Sequence, residues 1–169
     1  MKSKLILTGM PGAGKSTVGV ILAKVLGYDF IDVDILIASR AGMPLQEILN
    51  ARGIEAFLRI EEQVGANLQA EKTVIATGGS MVLSDIAMRH LKGIGLCVYL
   101  DVPLDVLWTR IRNMETRGIA ASPDTTLEQI YETRLPLYRR YADLTISCEQ
   151  LSTEEVVAEI VRRLQFEQQ

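Results

Sequence analysis

Apolar positions along the chain fall into two alternating patterns. Short β-rich runs occur at Lys4 to Thr8, Asp29 to Val33, Thr73 to Ala76, Leu96 to Leu100 and Leu144 to Ile146, and longer stretches of helical period separate them. Such alternation predicts an α/β domain with a mainly parallel sheet. After the first run, Val18, Ile21, Leu22 and Val25 recur at helical spacing and Gly27 supplies a stop. Pro44 reads as the first position of a short helix carrying Leu45, Ile48 and Leu49. A second, longer helix follows from Ile54, Phe57, Leu58, Glu61, Val64 and Leu68, with Glu61 the one polar member of that stripe. From Asn113 to Asp124 the periodicity fails: Gly118, Ser122 and Pro123 interrupt it and bulky apolar residues are sparse, so this stretch is expected to be a mobile lid.

Composition narrows the class. With 169 residues, 48% apolar and 23% charged, the expectation is a single folded domain over 1–169, without repeats or a linker. A net charge of -3 offers no surplus of cations for nucleic acid or an anionic membrane, and neither is expected as a partner. Cys97 lies within an apolar run and reads as a small buried thiol, so two cysteines predict neither a disulfide framework nor a zinc site. No run approaches ~18 apolar residues, and a cytoplasmic location is expected. Nothing in the chain identifies a protein partner.

Chemistry enters at Gly9-Met10-Pro11-Gly12-Ala13-Gly14-Lys15-Ser16-Thr17, which fits G-x-x-x-x-G-K-[ST] between an apolar strand and an amphipathic helix. A backbone that wraps a phosphate with its N–H groups inward needs dihedrals that a Cβ obstructs, hence the glycines. The segment Gly12, Ala13, Gly14, Lys15, Ser16 and Thr17 is therefore expected to cradle a nucleoside triphosphate at the helix N-terminus. Lys15 supplies a movable cation for the outer phosphates and Ser16 a hydroxyl for a magnesium ion. The base-reading Asn-Lys-x-Asp of GTPases is absent, and a small-molecule or nucleotide kinase is the economical reading.

Asp32 and Asp34 close the second run, and residues two apart on a strand share a face. At about 6 Å and an effective dielectric of about 20 their charges repel by roughly 3 kcal/mol, which a cation or a shared proton would relieve. Asp32 is then a candidate for holding the water shell of the metal and Asp34 for orienting or deprotonating an acceptor hydroxyl. The alternative makes Asp34 the N-cap of a helix beginning at Ile35 and leaves Asp32 solvated.

Together with Phe57-Leu58-Arg59-Ile60-Glu61-Glu62, Thr77-Gly78-Gly79 and Arg134-x-Pro136-Leu137-Tyr138 before Ala142-Asp143, these segments make nearly the whole chain resemble the shikimate kinases. The resemblance implies a three-layer α/β/α P-loop kinase with a five-stranded parallel sheet, a helical substrate-binding segment over about 33–62 and a lid over about 113–124. It implies ATP and Mg2+ as cofactors and a ring hydroxyl of shikimate as acceptor. It assigns Lys15 and Ser16 to phosphate and magnesium, Asp32 to the metal region and Asp34 to the substrate hydroxyls. By the same match Arg110 lies against the adenine, Arg117 reaches the transferring phosphate from the lid, and Arg134 pairs with the substrate carboxylate. Gly78 and Gly79 approach the substrate with bare backbone. Each assignment has a plainer counterpart: a solvated charged face for Arg110 and Arg117, a tight turn for the glycines, a snorkelling side chain for Arg134.

Three segments depart from the family pattern. Leu58 stands where most members carry an arginine that grips the carboxylate, and losing that guanidinium is expected to cost about 2–4 kcal/mol of acceptor binding. Arg59 is one residue on, turned by about 100° on the helix, and helps Arg134 only through local rearrangement. Ser80 replaces the third glycine, and Arg117-Gly118-Ile119-Ala120 replaces Arg-Pro-Leu-Leu. A divergent shikimate kinase, a relative acting on another small hydroxylated metabolite, and a nucleotide-binding module without turnover all remain open on the sequence alone.

Overall fold

The computed structural model of the chain describes residues 4–111 and 118–166. The expectation for Arg117, and that part of the lid expectation covering 113–117, lie outside the described residues. Among the described residues five strands alternate with seven helices: β1 (Lys4–Thr8), α1 (Lys15–Leu26), β2 (Asp29–Asp32), α2 (Val33–Ala41), α3 (Leu45–Ala66), β3 (Thr73–Ala76), α4 (Asp85–Ile94), β4 (Leu96–Asp101), α5 (Leu104–Arg110), α6 (Leu127–Tyr141), β5 (Leu144–Ser147) and α7 (Thr153–Phe166). The sheet is parallel throughout in the order β2-β3-β1-β4-β5. Helices cover both of its faces, which is why β1, β3 and β4 read as unbroken apolar runs: Ile6, Leu7, Val74, Ile75, Cys97 and Val98 are fully buried. On one side α1 packs with α7, and α3 packs with α4. No helix among the described residues is long and apolar enough to cross a membrane.

Two local readings need correction. β2 stops at Asp32, one residue short of Val33, because Asp32 caps α2: its Oδ1 accepts from the Ile35 N–H at 3.2 Å. Asp34 therefore sits in the first turn of a helix, and the shared strand face expected for the two acids does not exist. The two helices expected on either side of residue 53 are both present as the halves of α3, which breaks at Gly53, whose φ of 77° and ψ of 170° are open to glycine alone. Pro44 caps that element instead of occupying its first turn.

Candidate active site

The glycine-rich turn between β1 and α1 has the backbone its sequence demands. Gly12 and Gly14 have φ of +81° and +93°, and a Cβ on Gly12 would lie 2.8 Å from Ile111 Cγ1. Lys15 follows at the start of α1, only 8% exposed, with Nζ donating to the carbonyls of Gly9 and Met10 at 2.8 Å each. Burial brings its ammonium down to about 8, against the raising pull of Asp34. A cation parked on carbonyls of its own loop is stored beside the cradle and free to exchange those weak acceptors for phosphate oxygens. Arg110, at the end of α5, leans over the same loop, with Nη1 3.3 Å from the Gly12 carbonyl oxygen. Thr17 is exposed on the first turn and lines the same cleft.

The junction of β2 and α2 supplies the acids. Ser16 Oγ donates to Asp32 Oδ2, so the hydroxyl and the carboxylate expected at a magnesium ion are already in contact. Among the described residues no three His, Cys, Asp or Glu side chains cluster as a metal site. A hydroxyl and a single carboxylate suit a hard cation held largely by phosphates and water. Asp34 faces the cleft two residues on, and burial raises its carboxyl, with Lys15 opposing and Asp32 reinforcing the shift. That shift suits a group that takes up a proton.

The loop after β3 forms the floor beside the phosphate cradle. Thr77 ties it to β1: both its N–H and its hydroxyl donate to the Leu7 carbonyl, at 3.1 and 2.9 Å. Beyond it the backbone runs too close to its neighbours for a Cβ to enter without a shift. A Cβ on Gly78 would collide with Glu61 Oε2 and lie 2.6 Å from Asp34 Oδ1, and one on Gly79 would lie 2.8 Å from the Pro11 ring. Tyr138 of α6 fixes the floor from behind, its hydroxyl donating to the Gly79 carbonyl at 2.5 Å while its ring stacks on Tyr99. One turn earlier Arg134 is 3% exposed; Nη2 donates to the Ala120 carbonyl at 2.7 Å, and Nη1 is buried without a partner among the described residues. A buried guanidinium nitrogen left unsatisfied beside a cleft calls for an anionic or carbonyl oxygen.

All of this surrounds one cavity of about 450 Å³, bordered by Lys15, Asp34, Gly79, Arg110 and Arg134 and roofed by Gly118 to Ala120. Arg59 is not there. It is exposed and, with Leu58, borders a separate depression of about 140 Å³ on the far side of Glu61 and Ser80. Two site residues escaped the sequence reading. Tyr138 gave no chemical signal. Glu61 gave one, as the polar intruder in an apolar stripe: it is 2% exposed, accepts from Ser80 Oγ at 2.6 Å, and burial pushes its carboxyl up to about 7.

Comparison with known proteins bears on the family and the fold. The family pattern described as shikimate kinase matches residues 11–165. Curated relatives include the shikimate kinase of Microcystis aeruginosa, 42% identical over 158 residues, covering 92% of this chain and 82% of that protein. That of Thermodesulfovibrio yellowstonii is 36% identical over 161 residues, covering 94% of this chain and 92% of its own. Among solved structures, shikimate kinase from Acinetobacter baumannii in complex with shikimate superposes with a TM-score of 0.90 at 29% identity, over 97% of this chain and 93% of that one.

Proposed function

The chain belongs to the shikimate kinase family, and on that premise we propose that it transfers the γ-phosphoryl group of ATP to a ring hydroxyl of shikimate, giving shikimate 3-phosphate and ADP. One observation carries the reading: the same cavity is lined by an anion cradle with a buried lysine, by an acid and by an arginine with an unsatisfied nitrogen. Lys15 leaves the Gly9 and Met10 carbonyls to meet the negative charge spread over the transferring phosphoryl oxygens. Asp34 orients the acceptor hydroxyl and takes its proton as the oxygen bonds to phosphorus. Arg134 holds the acceptor carboxylate through Nη1 while Nη2 keeps its grip on Ala120. Arg110 covers the base side of the nucleotide. Arg117 retains the lid role that its match implies, adding a second cation to the transferring group. Ser16 and Asp32 would hold Mg2+, which neutralises developing charge between the outer phosphates.

Leu58 favours a second reading, a relative of altered acceptor preference, because it places an alkyl group where the family pattern has an arginine. An acceptor screen by ADP release, with shikimate first, separates the two. Acceptor-dependent turnover with shikimate that disappears in Lys15→Ala is the expected result. ATP binding without turnover at millimolar shikimate would give the site to another acceptor.

A further inference from the structure

Glu61 is a buried acid that the reaction as described does not use. Leu58 lies one helical turn before it on the same face of α3, so a long side chain at 58 would lie beside its carboxyl. Leucine offers that carboxyl nothing polar. What it has instead is Ser80, 5% exposed, whose hydroxyl donates to Oε1. Oε2 has no partner among the described residues and points beneath Gly78, onto the spot that Asp34 Oδ1 also crowds. Glu61 thus lies between the glycine floor and Asp34 of the acceptor pocket on one side and the separate depression bordered by Leu58 and Arg59 on the other.

We infer that Ser80 and Glu61 form a positioning pair that does, from the floor loop, what a cationic side chain at position 58 would do from the helix: it fixes a buried carboxyl against Gly78 and Asp34 so that the acceptor meets a rigid floor. The inference rests on the proposed kinase reading of this cavity. Two departures from the family pattern, Leu58 and Ser80, then become one. Removing the arginine strips Glu61 of a counter-charge, and adding a hydroxyl at 80 returns one hydrogen bond to it. The groups facing Glu61 are Lys15 from α1, Asp34 from α2, and Arg134 and Tyr138 from α6, with Arg59 and Glu62 beside it on α3. Burial raises the Glu61 carboxyl and Asp34 adds to that, while the Ser80 hydroxyl, Arg134 and Lys15 lower it.

The test is a cycle of Ser80→Ala, Ser80→Thr, Leu58→Arg and Leu58→Arg/Ser80→Ala with two readouts. In the first, carboxyl-labelled glutamate is titrated by NMR, with Glu61→Gln identifying the resonance. Ser80→Ala should move the Glu61 titration to higher pH and Leu58→Arg to lower pH, while Ser80→Thr leaves it near that of the parent. The second readout is steady-state kinetics. Ser80→Ala should raise the KM for shikimate about tenfold with the KM for ATP unchanged, and adding Leu58→Arg should reverse most of that rise. An unmoved titration in Ser80→Ala overturns the pair. So does a moved titration with shikimate and ATP constants shifted alike, which marks a structural role only. Absence of turnover with shikimate in the parent protein would sink the substrate assignment separately, and the titration would then decide the pair without it.

Discussion

Gly12 and Glu61 show opposite ways in which one residue constrains the site. At Gly12 the constraint is steric, from a positive φ and from Ile111 pressing where a Cβ would go. Gly12→Ala should weaken ATP binding more than tenfold and cost about 1–3 kcal/mol of stability, measured by nucleotide titration and thermal melting. At Glu61 the constraint is electrostatic. Its carboxyl titrates near about 7 in the fold against an ordinary value of 4.5, so the folded protein binds the extra proton between those values and stability falls as pH rises through that window. Glu61→Gln keeps an acceptor for Ser80 and removes the titration. Its melting temperature should exceed that of the parent by about 5 °C at pH 8 and show no advantage at pH 4, by calorimetry. The phosphate cradle was legible in the sequence because its chemistry lies within nine consecutive residues. The part played by Glu61 was not, since Ser80 and Gly78 reach it only through tertiary packing.

Elements set the geometry in which those residues act, and α3 is the instructive one. Its break at Gly53 separates a first half, residues 45–52, from the half that carries Phe57 and Glu61. The first half abuts the cavity roof, where a Cβ on Gly118 would lie 2.7 Å from Leu45 Cβ. No atom lies near a Cβ built at Gly53, so the requirement there is purely conformational. Gly53→Ala should therefore lower stability by about 1–3 kcal/mol in urea melts and raise the KM for the acceptor more than that for ATP. Two separate apolar stripes announced the two halves in the sequence, whereas the backbone conformation demanded at Gly53 leaves no mark in the periodicity. The β2–α2 junction was harder to read. Asp32-Val33-Asp34 suits a strand end and a helix start equally well, and the boundary was decided by Asp32 taking the Ile35 N–H, a competition that periodicity does not register.

Across the whole molecule, alternating strands and helices made the parallel sheet readable, whereas strand order was not, because each apolar run fits any covered position in the sheet. That order matters. It puts the ends of β2, β3 and β1 side by side, so Asp34, the glycine floor and the phosphate cradle open on one cavity. Hydrogen exchange should reveal which walls respond to ligand: amides over 118–124 should slow on adding nucleotide and shikimate together, and those at Thr77 to Ser80 should not change. The reason for the difference is the doubled hydrogen bond from Thr77 to the Leu7 carbonyl. It rivets the seats of donor and acceptor to neighbouring strands, so the spacing between the two reactants is set when the chain folds. Catching them leaves only the surrounding walls to move, like a vice whose fixed jaw was cast in one piece with its bench.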